Sequence, residues 1–296
     1  MKKIIAKVKP LDRRRKYYLV LDCETATLPY AINFDGESRK KIAIAKPLIY
    51  DLGWQIIDRQ GRVYRRKSYL ISEIFSVPSV FNTAYYAEKR PIYIDRLEKG
   101  ETTLTDWKSA MKELIADMSE VESVGAYNSM FDFKKAIPFT ETYINKLYSK
   151  DFYKWEEMQN RICDNIVNGS KTRGENFDGM NFIFRDKKYP LFDVWGLSCK
   201  HILNCDEYRE LCKEENWLTA SGKYYKSSAE TCYRFFKGNN EFIESHTAID
   251  DTEIESELFA EIMRRTKAKI EMGIIYFPFR ILGTVEFFEN FGESDV

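Results

Sequence analysis

The sequence predicts an α/β fold in which a mixed β-sheet of five strands is flanked by helices. Three observations favour this class. A short apolar segment of strand length, residues 17–24, ends in carboxylates. Two further strand-like segments follow it as a hairpin, and helical spacing alternates with short apolar segments over the rest of the chain. With 296 residues the chain is too long for a small module, and we expect one enlarged domain over residues 1–296.

The composition predicts a folded protein with no overall electrostatic attraction to nucleic acid or membrane. Hydrophobic residues make up 44% of the chain and aromatic residues 15%, which is enough apolar mass for a full core. The 46 Lys and Arg residues balance the 46 Asp and Glu residues, so any phosphate-binding surface must be local. No apolar run approaches the roughly 18 residues of a membrane span, and the basic start lacks the apolar stretch of a signal peptide. We therefore expect a soluble, cytoplasmic protein.

Three strand-like segments open the chain. Residues 17–24 are the first, and a polar segment follows at about 30–46. Residues 48–58 have the β-branched and aromatic content of a second strand. A tight turn at 59–62 leads to a third strand at 63–71, so we expect an antiparallel hairpin beside the first strand.

Helical and strand-like patterns alternate through the rest of the chain. Apolar residues recur at three- and four-residue steps over 104–118, which predicts a helix with Thr103 or Thr105 as its N-cap. The remaining predicted elements are a strand at 121–128, a helix from residue 129 that Pro138 interrupts, a fifth strand at about 190–194, helical patterning from 195 to about 216, and a last helix from near His246 to about 268.

Residues 150–189 are expected to form an insertion rather than a second domain. This segment holds a helical piece at 152–167 and then a Gly-, Asn- and Lys-rich loop at 168–188. The C-terminal extension, residues 269–296, is rich in aromatic and apolar residues, and it either covers the core or docks a partner.

The six cysteines are too few for a disulfide scaffold in a chain of this length, so we expect reduced thiols. Cys199, His201, Cys205 and Cys212 lie close together in sequence, but their spacing fits no zinc template. We interpret the cysteines as small apolar residues on a helix.

Two carboxylates end the first predicted strand. Asp22 and Glu24 are separated by one residue, so both side chains point to the same face. Like charges at one site are costly without a cation, whereas a divalent metal favours both ionised forms. The alternative is a solvated face, because a chain with 46 acidic residues contains about seven such pairs by chance. The position at the end of an apolar strand favours a site.

Two further acidic positions lie where a helix begins. Asp132 follows the strand at 121–128, although an Asp at a helix start is commonly a capping residue. Asp251 lies in the middle of the apolar stripe of the last helix, about 60° from Ile254, and a buried carboxylate needs a partner. Asp250 lies about 100° from Asp251, nearer to water, and is explained as a first-turn helix charge.

Three segments together resemble the exonuclease motifs of the DEDDh superfamily of 3′–5′ exonucleases, which includes the proofreading subunit of bacterial replicase and RNase T. They are Leu-Asp-Cys-Glu-Thr at 21–25, Ala-Tyr-Asn-Ser-Met-Phe-Asp at 126–132 and His-Thr-Ala-Ile-Asp-Asp at 246–251. They follow the family's order, and the resemblance covers a core of about residues 15–268 and implies an RNase H-like fold. Against a minimal member of the family, the resemblance also implies two insertions, at about 144–189 and about 205–240. The chain departs from the family pattern at Ala26 and Thr27, where many members carry Thr and Gly.

The resemblance implies that Asp22, Glu24, Asp132 and Asp251 hold two divalent cations, Mg²⁺ or Mn²⁺, with His246 as the general base. Carboxylate oxygens suit these ions, and two ions can stabilise both the attacking and the leaving oxygen of a displacement at phosphorus. The implied product is a nucleoside 5′-monophosphate released from the 3′ end. For a lone histidine, the alternative is a hydrogen-bonded structural residue.

The same resemblance implies substrate contacts. Thr25 is expected to reach the terminal nucleotide, Asn128 to hold the sugar-phosphate, and Leu28 or Phe131 to stack against a terminal base. Phe131 suits the core equally well. The candidate tracks for a nucleic-acid backbone are the basic segments 13–16, 65–67 and 171–188, although such runs are commonly just solvated.

The expected partner is nucleic acid, and we expect a DNA exonuclease acting at a single-stranded 3′ end. An exoribonuclease stays open as an alternative, because only contacts to the 2′-hydroxyl separate the two substrates. The alternative from another class is a nucleic-acid-binding module that has lost catalysis. The Lys-, Ile-, Asn- and Tyr-rich composition favours an AT-rich genome, such as that of a bacteriophage in a bacterial cell, and a replication or repair partner stays open.

Overall fold

The computed structural model describes residues 11–12, 14–169 and 179–285, and over these ranges the fold is α/β with a mixed sheet. Its strands are β1 Tyr17–Ala26, β2 Leu48–Asp58, β3 Val63–Ile71, β4 Thr103–Thr105, β5 Ser123–Ala126, β6 Asn181–Phe184 and β7 Lys187–Asp193. Their order across the sheet is β4-β3-β2-β1-β5-β7-β6. The central strand β1 pairs antiparallel with β2 and parallel with β5.

Helices of four or more residues connect and cover these strands. In chain order they are α1 Gly36–Ala45, α2 Ser72–Phe75, α3 Pro78–Phe81, α4 Arg90–Lys99, α5 Trp107–Met118, then a single turn α6 Ser129–Phe131, and α7 Ile137–Leu147, α8 Phe152–Val167, α9 Val194–His201, α10 Asp206–Glu214, α11 Ala229–Lys237 and α12 Ala248–Arg265. A π-helical turn at Asp132–Ala136 joins α6 to α7, and 3₁₀ helices lie at Pro29–Asn33, Ala87–Lys89 and Pro278–Leu282.

The predicted hairpin beside the first strand is confirmed. β2 and β3 cover the predicted ranges, and β2 pairs with both β1 and β3 in antiparallel register. All 11 residues of β2 are buried, which shows that this strand is covered on both faces. The register places Asp22 opposite Gly53 and Glu24 opposite Asp51.

The prediction of five strands is wrong, because the sheet described here has seven. The two additional strands are β4, which lies in the range predicted as the start of a helix, and β6, which lies in the range predicted as a loop. They contain 3 and 4 residues. Segments this short carry too little periodicity to be recognised, and each is stabilised by its neighbour in the sheet rather than by its own pattern.

Three helix predictions also need correction. The polar segment at 30–46 contains α1, which the side chain of Asp35 caps by accepting from the N–H of Ser38 at 2.9 Å. Helix α5 begins at Trp107 with Asp106 as its N-cap, so neither Thr103 nor Thr105 has that role. The helical segment from Ser129 also continues past Pro138, because that proline lies in the first turn of α7, where its missing N–H is tolerated.

Two hydrophobic clusters cover the two faces of the sheet. Along β1, Leu19 and Leu21 belong to one cluster and Tyr18 and Val20 to the other, as the alternation of a strand requires. The second cluster includes Phe259 of α12, together with residues of α9 and α10. Even-numbered side chains of β1 therefore face α12, and this face continues from Val20 towards the two carboxylates at the end of the strand.

Helix α12 packs closely on β2 at Gly53. A Cβ added at Gly53 would lie 2.7 Å from backbone atoms of Ala248 and Ile249, so only glycine permits this approach. The hydroxyl of Thr252 donates to the carbonyl oxygen of Gly53 at 3.4 Å. The first turn of α12 is thereby held against the centre of the sheet.

The described part of the C-terminal extension covers the second cluster. Gly273 forms a bridge with Phe192 of β7, and Leu282 is fully buried. Residues 286–296 of the extension, Arg13, and residues 170–178 of the predicted loop and basic segment lie outside the described residues. Within the described ranges, no helix has both the length and the apolar character needed to cross a bilayer.

Candidate active site

The four carboxylates that the resemblance assigns to a metal site line one cavity of about 290 Å³. Asp22 and Glu24 reach it from the end of β1, on the face that α12 covers. Asp132 reaches it from the turn after β5, and Asp251 from the first turn of α12. The fold thus brings together side chains from three distant parts of the chain.

The π-helical turn after β5 places Asp132. The side chain of Asn128 caps the preceding turn by accepting from the N–H of Phe131 at 3.4 Å, so the capping role belongs to Asn128. Asp132 is buried, and its Oδ1 accepts a hydrogen bond from the thiol of Cys23 at 3.1 Å. This bond leaves Oδ2 of Asp132 for another partner.

The start of α12 places Asp251. Thr247 is the N-cap, and the N–H of Ala248 donates to Oδ2 of Asp51 at 2.9 Å, which ties the helix start to β2. Asp251 is 5% exposed, and its Oδ1 has no hydrogen-bond partner among the described residues. A buried carboxylate oxygen without a donor has room for a ligand such as a cation.

His246 lies just before α12 rather than opening it as predicted, because the helix begins at Ala248. Its backbone is in the left-handed region, with φ of 51°, and its ring stacks on that of Tyr86. Single ligand atoms of Glu24, His246 and Asp251 lie within 4.8 Å of one another. Burial and the nearby charge of Lys89 lower the pKa of His246, which favours the neutral imidazole.

The carboxylates are electrostatically unfavourable when no cation is present. Burial raises the pKa of Asp251 to about 9, of Glu24 to about 8 and of Asp132 to about 7. Burial also raises the pKa of Asp22 well above its usual range, and the charges of neighbouring carboxylates add to this effect. A divalent cation favours the ionised forms.

The residues fit hard divalent cations by three criteria. The available donors are mainly carboxylate oxygens, which Mg²⁺ and Mn²⁺ prefer. Asp251 offers a buried oxygen without a donor. Burial and, for Asp22, Glu24 and Asp251, repulsion between carboxylates raise the pKa values of these groups, and a bound cation would offset both effects.

Glu255 is a further carboxylate of the cavity that the sequence interpretation did not include. It is 3% exposed, and one oxygen accepts from the N–H of Tyr127 at 3.1 Å. Its charge is the largest electrostatic contribution to the raised pKa of Asp22 after burial. A signal existed, because Glu255 is four residues after Asp251 and residues at this spacing share a helix face.

Tyr86 and Glu244 also line the cavity and were not predicted. Tyr86 stacks on His246, and a carboxylate oxygen of Glu244 lies 3.8 Å from Nδ1 of the same histidine. Tyr86 is far from the motifs in sequence and has no neighbouring pattern that could have identified it. Its role depends on tertiary packing alone.

Of the four residues predicted to contact the substrate, three line the cavity or the groove beside it and one lies in the core. Asn128 is exposed and lines the carboxylate cavity, and Phe131 lines it while also packing on the core. Thr25 lines an adjoining groove. Leu28 is 1% exposed and belongs to the hydrophobic core, so it offers no surface to a base.

The adjoining groove has a volume of about 520 Å³ and shares Glu24, Tyr86 and Phe131 with the carboxylate cavity. Helix α1 forms one wall and contributes two basic residues, Arg39 and Lys40. The groove therefore joins a positively charged wall to the acidic cavity.

Asp250 does not line the carboxylate cavity and points to other partners. Arg96 of α4 donates to its Oδ2 at 2.5 Å, and the hydroxyl of Ser245 donates to the same oxygen at 2.9 Å. These bonds lower the pKa of Asp250, although its partial burial acts in the other direction. Asp250 and Asp251 are thus adjacent carboxylates in different environments.

The cysteine-rich segment forms no metal group in the described ranges. Cys199 and Cys212 are buried and Cys205 is partly buried, all as free thiols. The clusters of potential ligands found among the described residues include none of these thiols and not His201.

No protein-family model matches the chain, and no curated protein matches it. Among solved structures the chain is similar to one described as "3'-end specific recognition of histone mRNA stem-loop by 3'-exonuclease". The TM-score is 0.42 and the sequence identity is 7%, with 91% of this chain and 71% of that chain covered.

Proposed function

We propose that the protein is a metal-dependent 3′–5′ exonuclease that hydrolyses phosphodiester bonds at the 3′ end of DNA. The observation that carries the proposal is the buried Oδ1 of Asp251, which lacks a donor in a cavity lined by Asp22, Glu24 and Asp132. The DEDDh resemblance predicts a metal site at these four residues, and their place around one cavity supports the proposal. The three motifs come from different parts of the chain, so their convergence on one cavity is an argument from the fold, separate from the resemblance in sequence.

Asp22, Glu24, Asp132 and Asp251 would hold the two divalent cations. When bound, these ions would lower the pKa of water and stabilise negative charge on phosphorus oxygens. Cys23 orients Asp132 through its bond to Oδ1, and Asp51 holds the helix that carries Asp251. The protein's contribution is therefore a rigid set of acidic oxygens at the end of the central strand.

His246 would accept the proton of the attacking water. Its lowered pKa keeps the imidazole neutral at neutral pH, which a general base requires. The carboxyl group of Glu244 lies 3.8 Å from Nδ1 and, when ionised, stabilises the imidazolium that forms; burial and the charge of Glu230 raise the pKa of Glu244 to about 7. Stacking on Tyr86 fixes the plane of the ring during this transfer.

The terminal nucleotide would lie where the groove beside α1 meets the carboxylate cavity. Thr25 lines the groove, Asn128 lines the cavity, and Phe131 lines both. Tyr85 is 72% exposed beside the groove and offers an aromatic face for a base. Such stacking requires unpaired bases, which favours a single-stranded 3′ end.

The test is digestion of labelled single-stranded and duplex DNA and RNA with Mg²⁺ or Mn²⁺. We expect shortening from the 3′ end with release of nucleoside 5′-monophosphates, and no activity in Asp22→Asn or in EDTA. Asp95→Asn is the matched control, since Asp95 is an exposed carboxylate on α4 that pairs with Lys99. Equal degradation by wild type and Asp22→Asn would refute the assignment.

The RNA arms of the same experiment decide the substrate. Faster turnover of DNA than of RNA of the same sequence supports the proposal. A clear preference for RNA would replace it with an exoribonuclease that uses the same residues.

A further inference from the structure

Two adjoining cavities lie at the C-terminal end of α12, away from the carboxylate cavity. Their volumes are about 620 and about 630 Å³, and both are lined by Arg59, Gln60 and Ala268. Together they form one surface groove between the start of β1, the turn after β2 and the end of α12.

The turn at 59–62 is rigid. Asp58 is buried and accepts hydrogen bonds from the N–H of Gln60 at 2.9 Å and of Arg62 at 3.1 Å. Gly61 has φ of 78°, and a Cβ there would lie 2.8 Å from the Cβ of Ala260 on α12. The turn is therefore fixed against the helix, and it presents Arg59 and Arg62 to solvent on either side of Gly61.

The groove is basic in a chain of zero net charge. The basic side chains that line it are Arg15, Lys16, Arg59, Arg62, Arg264 and Lys267, against the acidic Asp58, Glu257 and Glu261. Arg264 is neutralised by Glu261, and Lys16 by Glu122.

Arg59, Arg62 and Lys267 have no ion pair in the described part of the chain. Some other basic side chains are in ion pairs, such as Lys99 with Asp95 and Arg161 with Glu157. Three exposed cations, none of which is in an ion pair with the Asp58, Glu257 or Glu261 carboxylates of the groove, are complementary to a polyanion.

The groove lies at a defined separation from the carboxylate cavity. Asp251 is in the first turn of α12 and Arg264 in its last turn. These positions are 13 residues apart, which corresponds to about 20 Å along the helix. A stacked nucleic-acid strand advances about 3.4 Å per nucleotide, so this distance corresponds to about six nucleotides.

We propose that this basic groove is a second nucleic-acid-binding site, which holds the phosphate backbone of the substrate strand about six nucleotides from its 3′ end. The inference rests on the proposed function in assigning the 3′ end of the same strand to the carboxylate cavity. The groove gives a neutral protein the local field that it needs to retain a polyanion.

The first test measures binding without cleavage, so it does not depend on nuclease activity. Fluorescence anisotropy in EDTA compares wild type with Arg59→Gln/Arg62→Gln/Lys267→Gln on a labelled single strand of about 20 nucleotides. We expect at least about tenfold weaker binding and a salt slope reduced by about 2, because each lost phosphate contact removes about 0.7 from the slope. The matched control Lys99→Gln/Arg161→Gln/Lys200→Gln removes three exposed, paired cations elsewhere and should bind as wild type.

An equal loss in the control, or no loss in the groove variant, would overturn the proposal. Binding of phosphatidylserine vesicles that depends on the groove residues, together with unchanged binding of the DNA strand, would overturn it in favour of a membrane surface. Thermal melting of each variant establishes folding, and the single variants Arg62→Gln and Lys267→Gln replace the triple variant if it melts early.

The second test measures cleavage as a function of length. The groove variant should lose about tenfold in kcat/KM on a strand of about 20 nucleotides and none on one of about four, which cannot reach from the cavity to the groove. An equal loss on both lengths would overturn the proposal. If the wild-type protein cleaves no strand, the proposed function fails, but the binding test still shows whether the groove binds nucleic acid.

Discussion

The imidazole of His246 stacks on the ring of Tyr86, with ring centroids 4.3 Å apart and planes inclined by 13°. The ammonium group of Lys89 lies 4.4 Å from the centroid of the same tyrosine ring and donates to the carbonyl oxygen of Ser245. The sequence alone placed this histidine at the start of the last helix. The contacts define an imidazole whose plane is held by a neighbouring aromatic ring.

Replacing Tyr86 should therefore affect turnover more than metal binding. We expect Tyr86→Ala to lower kcat by up to about tenfold, since an aromatic pair contributes about 0.5–1.5 kcal/mol. Calorimetric Mn²⁺ binding should be unchanged. Tyr86→Phe keeps the stacked ring and should retain near wild-type turnover; a loss as large as that of Tyr86→Ala would instead assign a role to the hydroxyl.

Replacing His246 should show whether its imidazole acts as a general base or as a metal ligand. We expect His246→Ala to lower turnover by about 10² to 10⁴, the usual contribution of a general base, while Mn²⁺ still binds. Steady-state kinetics and titration calorimetry on the same preparation provide the two measurements. Undiminished turnover would remove His246 from the mechanism.

The neighbouring pair Asp250 and Asp251 offers a matched comparison. Asp251→Ala should abolish turnover and weaken Mn²⁺ binding, because its Oδ1 faces the cavity without a donor. Asp250→Ala should leave Mn²⁺ binding intact and lower the melting temperature, because it breaks the tie to Arg96. If the two variants lose metal affinity equally, the assignment of these carboxylates is wrong.

Glu255 should matter for the cations although it lies outside the motifs. Glu255→Gln removes a charge beside Asp22 and keeps an oxygen that can accept from the N–H of Tyr127. We expect about 10- to 100-fold weaker Mn²⁺ binding by calorimetry, the range found for groups that support metal ligands. Glu253→Gln is the control, being an exposed carboxylate on the same helix that pairs with Arg66. Unchanged affinity would show that Glu255 does not contribute to the cation site.

The stability of the protein should depend on pH differently with and without divalent cations. The raised pKa values of Glu24 and Asp251, about 8 and about 9, mean that the folded chain binds more protons than the unfolded chain above about pH 4. In EDTA the free energy of unfolding should therefore fall as the pH rises towards about 9.

A bound cation favours the ionised carboxylates, so the rise in melting temperature on adding Mn²⁺ should be larger at about pH 8 than at about pH 6. Thermal melting at both pH values measures this difference. An increase of equal size at both would contradict the coupling between the carboxylates and the metal.

The long elements of the fold could be predicted because their patterns are local. The ranges of β2, β3 and α8 agree with the sequence interpretation, since each carries a sustained apolar or amphipathic pattern. Strands β4 and β6 could not be found in this way, because three or four residues carry no measurable period and depend on a partner strand. The helix through Pro138 was misread because the π-helical turn shifts the proline into a first turn.

The sequence by itself determined the acidic identity of the site: two carboxylates at the end of an apolar strand, one after a second strand, and one on the apolar stripe of a helix. Residue type and spacing are chemical properties that can be read before folding. Only the tertiary structure decided which distant groups join them, namely Tyr86 at the cavity, and that Arg59 and Lys267 meet in the basic groove. Proximity across the chain depends on how helices pack on the sheet, and no local pattern encodes it.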